Sequence, residues 1–158
     1  MNPMQHLLEF FELEKLEEDL YRGQSLDIGT GRIFGGQVLS QALAAAARTV
    51  ENKQAHSFHA YFLREGDVTK PVVFQVDRSR NGRSFDNRRV VVIQHGRPIL
   101  NLAASFQIEE QGYEHQVDAP DIAQPDELDE KPFLTSKQME SLTPRMRRLL
   151  TTQGPFEF

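Results

Sequence analysis

GRIFGGQVLSQALAAAARTV, residues 31–50, is the stretch on which the reading of this chain turns. Gly35 and Gly36 open a helix that is apolar nearly all the way round. Val38, Leu39, Ala42, Leu43, Ala44, Ala45, Ala46 and Ala47 leave Ser40, Gln41 and Arg48 as its polar positions. A helix without a charged face belongs inside a protein. The run is too short, and too interrupted by Gln and Ser, to cross a bilayer, so no membrane insertion is expected. Glycines in a first turn leave backbone N–H groups uncovered, where an anion or a polarised carbonyl can approach.

Beyond this helix the hydrophobic period changes from 3.6 to 2. In HSFHAYFL, His56, Phe58, Ala60 and Phe62 form one strand face, which is expected to look at the helix, while Ser57, His59 and Tyr61 form the other. PVVFQVDRSR repeats the alternation with Val72, Phe74 and Val76, and Asn81-Gly82 then signals a hairpin into SFDNRRVVVIQ. His95-Gly96 turns into RPILNLAASFQI, with Leu100, Leu102, Ala104, Phe106 and Ile108 on one face. Three strands joined by tight turns make an antiparallel meander, and the strand at 56–63 is expected to join it. The economical fold is α+β: an antiparallel sheet wrapped around one central helix.

Upstream, PMQHLLEFFELE (3–14) has helical spacing behind an Asn2-Pro3 start, and a strand is expected from Leu20. Downstream, residues 109–135 carry Pro120, Pro125 and Pro132 among dense acids and read as a solvated linker. TSKQMESLTPRMRRLL resumes helical spacing with a break at Pro144, and GPFEF reads as the opening of a further strand. The expected organisation is a domain at 1–108, a linker at 109–135, and at 136–158 a helix with the start of a second, truncated repeat.

The chain has 158 residues, 39% hydrophobic and 26% charged, which suits a soluble globular domain. It has no cysteine, so disulfides, thiolate metal sites and a Cys nucleophile are excluded. With no visible secretory leader, a cytoplasmic location is expected. The net charge of −5 argues against nucleic acid as a partner. Charge is unevenly spread: Asp77–Arg97 holds six arginines against two acids, and Glu109–Lys131 holds nine acids and a single Lys. The first segment can attract an anionic ligand; the second repels one.

Phe34-Gly35-Gly36-Gln37 is the leading candidate site. Backbone donors at a helix start can stabilise the oxyanion of an acyl-transfer transition state, and side chains at 35 and 36 would obstruct the approach. Equally, glycines let a chain turn or pass close to a strand. His56 is a candidate base or substrate-amide ligand, with a backbone-bonded structural histidine as the alternative. His56 and His59 lie on opposite strand faces with no third ligand, so no metal is expected. Gln37 and Gln41 can orient a water or ligand but cannot accept a proton at neutral pH. Arg88 is a candidate for the phosphates of an anionic ligand, against the alternative of an exposed strand charge. No G-x-S-x-G elbow occurs, and no carboxylate lies between Val38 and Val50. No catalytic residue is assigned, and the chain reads as half of an active site.

GRIFGGQVLSQALAAA, HSFHAYFLREGD, KPVVF and NGRSFDNRRV, in this order, resemble the N-terminal repeat of type II acyl-CoA thioesterases, the double-hotdog enzymes. The resemblance runs from the N-terminal helix to Phe106. It implies a hotdog fold and hydrolysis of fatty acyl-CoA to acid and CoA without a cofactor. It also implies acyl-CoA as the substrate and a second hotdog repeat, or another copy of the chain, as the partner. The family's catalytic Asp, Thr and Gln belong to the second repeat, which matches nothing here, and family members have about twice this length. Phe34, Gly35, Gly36, Gln37 and His56 are the matching positions expected to line the interface between repeats. Two other readings follow from the residues: a non-catalytic acyl-CoA-binding or assembly module, and a hydratase built on His56 with Asp27.

Overall fold

The computed structural model describes residues 8–28, 31–124 and 134–151. Six strands form one antiparallel sheet: β1 (Glu14–Glu17), β2 (Leu20–Gly23), β3 (Gln54–Phe62), β4 (Val72–Asn81), β5 (Phe85–Gln94) and β6 (Arg97–Gln107). Their order across the sheet is β1-β2-β4-β5-β6-β3. The expected meander is β4-β5-β6, and β3 joins it antiparallel on the far side of β6. Helix α1 (Gly35–Ala47) packs on one face of this sheet.

The core follows from the two periodicities. Val38, Ala42, Ala45 and Ala46 of α1 meet Val72, Phe74 and Val76 of β4, Val90 and Val92 of β5, and Leu100, Leu102, Ala104 and Phe106 of β6. The α1 contacts are mostly methyl groups, which bring the helix axis close to the sheet and leave the sheet's larger side chains to fill the layer. The fold is therefore the α+β arrangement expected from the pattern, a curved sheet around one helix.

Local chemistry sets the turns, and one differs from the sequence reading. His95 and Gly96 both have positive φ, 51° and 70°, so the β5–β6 connection is the tight two-residue turn that matches strand twist. Asn81-Gly82 does not form such a turn: Asn81 still pairs with Asp86, and Gly82–Ser84 make a three-residue loop. Gly82 is required there by close approach, since a Cβ would lie 2.6 Å from the Phe85 carbonyl oxygen.

The N-terminal segment departs from expectation more clearly. Residues 3–7 of the expected helix lie outside the described residues; 8–9 are helical, and the chain turns at 10–11. Glu14, expected at the helix end, instead starts β1, a short hairpin partner of β2 through Asp19 at φ 58°. Pairing with β2 supplies β1 with backbone partners that an isolated charged helix end lacks, and tertiary contact overrides the local pattern. The Leu20 strand forms as expected.

β6 ends at Gln107, and residues 108–124 form neither helix nor strand and are largely exposed. Two short helices follow, α2 (Ser136–Ser141), closed by a Thr135–Gln138 capping box, and α3 (Pro144–Thr151), with Pro144 at its first position. The GPFEF segment lies outside the described residues. Among the described residues no helix is long and apolar enough to cross a membrane.

The β2–α1 contact offers a test of packing. A Cβ on Gly23 would meet Gln41 Nε2 at 2.8 Å, Leu13 Cδ2 at 2.9 Å and Phe74 Cε2 at 3.0 Å, three groups that are themselves fixed. Gly23→Ala is expected to lower unfolding free energy by about 1–3 kcal/mol, measured by urea denaturation.

Candidate functional site

α1 begins without a side-chain cap. Phe34 occupies the N-cap position, and its carbonyl accepts the N–H groups of Gln37 (3.0 Å) and Val38 (3.3 Å). The N–H groups of Gly35 and Gly36 therefore lie ahead of the intrahelical ladder, carrying the positive end of the helix dipole. Gly35 forms one wall of a cleft of about 360 Å³ whose other walls include Val38, Phe62, Leu63, Ile99 and Leu100. Arg64 and Glu65 sit at its rim.

Aromatic rings lie against both glycines. A Cβ on Gly36 would fall 2.5 Å from Phe34 Cε1, and one on Gly35 would fall 3.2 Å from Phe62 Cε1. Phe34 and Phe62 are 48% and 58% exposed, so each ring has its other side in solvent. Gly66 repeats the pattern at the cleft's far side, where Ile33 Cδ1 lies 2.7 Å from the place of a Cβ.

Both glutamines are held by the fold, with Gln41 Oε1 left as a buried acceptor without a partner among the described residues. Gln37 donates from Nε2 to the Gln24 carbonyl (3.0 Å) and accepts the Leu26 N–H (3.3 Å). Gln41, fully buried, donates to the Phe10 and Gln24 carbonyls at 2.9 and 3.0 Å. Together they tie the segment entering the site onto α1, work that a ligand-orienting role for Gln37 would have to displace.

His56 is placed elsewhere. A β-bulge lies between Ala55 and Ser57: Ala55 opposes Phe106, Ser57 opposes Ser105, and His56 is the extra residue. The bulge turns His56 to the outer face, away from α1, where Nε2 lies 2.9 Å from Ser105 Oγ and the ring meets Phe85 edge-on. Strict alternation had placed it on the helix side with Phe58; an inserted residue reverses that parity. Six residues of strand separate it from Phe62, about 20 Å. The chain therefore does not bring His56 to the diglycine. Asp27, in the loop before α1, accepts the Gly31 N–H at 2.9 Å, so the His56–Asp27 pair required by a hydratase is not assembled.

Arg88 lies inside, on the helix side of β5, and is 2% exposed. Its Nε donates to Thr49 Oγ1 (2.6 Å), Nη1 to the carbonyls of Arg80 (2.8 Å) and Asn87 (2.9 Å), and Nη2 to the Thr49 carbonyl (2.9 Å) and Asn81 Oδ1 (2.7 Å). All five guanidinium donors are spent, so no donor remains for a phosphate. Arg88 instead clamps the C-terminal end of α1 to the β4–β5 hairpin. Burial lowers its pKa, opposed chiefly by Asp86.

Asp86 completes that clamp, receiving Lys53 Nζ at 3.1 Å and the Gly82 N–H at 3.0 Å. Burial by itself raises the carboxyl's pKa, but the Lys53 and Gly82 hydrogen bonds and the Lys53 and Arg88 charges outweigh it and hold the group below the usual carboxylate range. Sequence reasoning missed this network and the Phe62–Arg64 wall, because both depend on long-range contacts; the period-2 burial of position 88 was the one available signal.

Residues 24–107 match the family model described as the acyl-CoA thioesterase N-terminal domain. The chain belongs to that family. It is 36% identical over 155 residues to acyl-CoA thioesterase 2 of Haemophilus influenzae, covering 98% of this chain and 54% of that protein. A tesB protein from Mycobacterium avium subsp. paratuberculosis superposes with a TM-score of 0.74 at 34% identity, covering 79% of this chain and 50% of that one. A hot dog fold protein from Alicyclobacillus acidocaldarius shares the fold alone, with a TM-score of 0.66 at 20% identity over 77% of this chain and 47% of that one. The architecture is thus a hotdog fold, and the chain spans about half the length of these relatives.

Asp86 yields a pH prediction. A carboxyl more acidic in the folded state contributes fully above its unfolded pKa of about 4 and progressively less as pH falls through the folded value. Wild-type stability should accordingly decline below that pH. Asp86→Asn should be less stable at neutral pH, with a shallower acid decline, read by urea unfolding across the pH range. An unchanged acid slope would remove Asp86 from this role.

Proposed function

We propose that this chain is the N-terminal half of an enzyme that hydrolyses acyl-CoA thioesters in fatty acid metabolism, in the cytoplasm. The carrying observation is an apolar cleft that opens on the Gly35 end of a dipolar helix with no carboxylate anywhere along that helix. In this reading Phe34, Gly35 and Gly36 form the acyl-receiving corner, with Gln37 bracing the segment behind it, and the Gly35 and Gly36 N–H groups stabilise the charge that develops on the thioester oxygen. A second hotdog repeat supplies the general base; another copy of this chain can take that repeat's place at the sheet edge without supplying the base. Water adds to the carbonyl, its proton passing to that base; the C–S bond then breaks, and CoA leaves as thiolate with the proton returned to it or to solvent.

The incompleteness of the site supports this over independent catalysis. Glu65 is the carboxylate at the cleft, and Arg32 holds it in an ion pair. The open edge of the sheet also points to a neighbour. β1, at one edge, is short and charged, whereas β3 at the other is nine residues long with Phe58, Tyr61 and Phe62 exposed. Long apolar edges are normally covered. The same features favour a non-catalytic acyl-CoA-binding or assembly module as the second reading.

Incubating the chain with decanoyl-CoA and a thiol-reactive dye separates the readings from independent catalysis: binding without thiol release above the spontaneous rate is expected. Rapid turnover by the chain alone would falsify the half-site reading. Light scattering at increasing concentration should show self-association through the β3 edge, and a monomer at the highest concentration would remove that edge as the contact.

A further inference from the structure

One wall of the cleft beside Gly35 is the stretch Leu63–Gly66, which follows β3 and belongs to no strand. Its start is held by the Ile99 carbonyl, which accepts the Leu63 and Arg64 N–H groups at 2.8 and 3.2 Å. At its end the Gly66 carbonyl accepts the Ile33 N–H at 3.1 Å, which joins the wall to the segment leading into α1. Asp67, the next residue, also lies outside the sheet, and a side chain stands in for its strand partner. Gln94 Oε1 accepts the Asp67 N–H at 2.7 Å, and Gln94 Nε2 donates to the Asp67 carbonyl at 2.9 Å, the two-way exchange that a paired strand residue makes. Nε2 also donates to the Lys70 carbonyl at 3.0 Å, with the Pro71 carbonyl at 3.4 Å. Gln94 is the last residue of β5, 5% exposed and on the face that carries Val90 and Val92. His95 and Gly96 turn the backbone away at positive φ, so it is the side chain that carries the pairing on to residue 67.

We propose that Gln94 is a positioning residue for this cleft: its amide, acting through Asp67 and Gly66, sets the spacing between the Leu63–Gly66 wall and the first turn of α1. The proposal rests on the acyl-binding reading above. Gln94 does not line the cleft, so its effect on a ligand passes through the wall. The link is short: Gln94 holds the backbone of Asp67, the adjoining Gly66 carbonyl holds Ile33, and Ile33 lies two residues before Gly35. An amide of this length is needed at 94 because Asp67 presents a donor and an acceptor together. A carboxylate answers the donor alone, and the amide of Asn is one methylene short of both. Ser25 provides the contrast. Its Oγ donates to the same Lys70 carbonyl at 2.7 Å, so it ties down the loop beyond Asp67 without holding the wall.

The test uses the full chain, with amide proton shifts from NMR and affinity for a non-hydrolysable thioether analogue of decanoyl-CoA from titration calorimetry. Both are read where urea unfolding shows the variant fully folded, so a loss of stability alone moves neither. Gln94→Asn should shift the Ile33 amide proton upfield, as its bond to Gly66 lengthens, and leave the Leu102 amide of the sheet centre in place. It should also weaken the analogue about tenfold, the scale of one displaced polar contact. Gln94→Glu, which keeps an acceptor for the Asp67 N–H and loses the donations, should act in the same direction and serves if the first variant does not fold. Ser25→Ala should leave both readouts at their wild-type values. An unmoved Ile33 amide, an unchanged affinity, or an equal loss in Ser25→Ala would overturn the role of Gln94 while leaving acyl binding intact. Failure of the wild-type chain to bind the analogue would overturn the acyl-binding reading and the positioning role together.

Discussion

The contact between the alanine face of α1 and the inner face of the sheet is the constraint from which the rest follows. Ala42, Ala45 and Ala46 have no exposed surface, and neither do Phe74, Val90, Val92 and Leu100 that cover them. Small side chains on the helix let the sheet approach closely along its whole length, and larger ones on the strands complete the layer at interior density. The helix is sealed on the side that faces the sheet, while Leu39, Leu43 and Ala44 are half-buried and Ser40 is exposed on the other.

The two ends of α1 are finished in opposite ways. At the C-terminal end, Arg88 and Thr49 join the helix to the β4–β5 hairpin, with Asp86 and Lys53 balancing the buried charge. Positive charge near a helix C-terminus is also favoured by the dipole. At the N-terminal end no side chain caps the first turn, and two glycines with two half-exposed phenylalanines take the place of a cap. A fold that anchors one end of its helix with every donor of a buried arginine, and leaves donors free at the other, has a built-in polarity. The cleft lies at the free end.

The sheet carries a second asymmetry. β1 closes its edge with four residues rich in charge, while β3 leaves nine residues with exposed aromatic groups on the opposite edge. The cleft wall at Phe62 belongs to that same open strand. Edge and cleft are therefore neighbours, so whatever pairs with the edge also stands next to the cleft. Both belong to a chain about half the length of its relatives.

Much of this was legible in the residues before any coordinates. The change of period at His56 separates helix from sheet, the alternation at Val72–Val76 and Leu100–Phe106 selects the inner face, and the ordered motifs carry the family resemblance. Hydrophobic periodicity is local and repeats, so the sequence alone determined the layers and the helix they enclose. Only the tertiary structure decided where His56, Arg88, Gln37 and Gln41 point and what they hold. One extra residue at a bulge reverses the facing of a strand residue, and a buried arginine differs from an exposed one only through partners distant in sequence. Neither event leaves a periodic trace, because each is settled by contacts between elements after the layers have met.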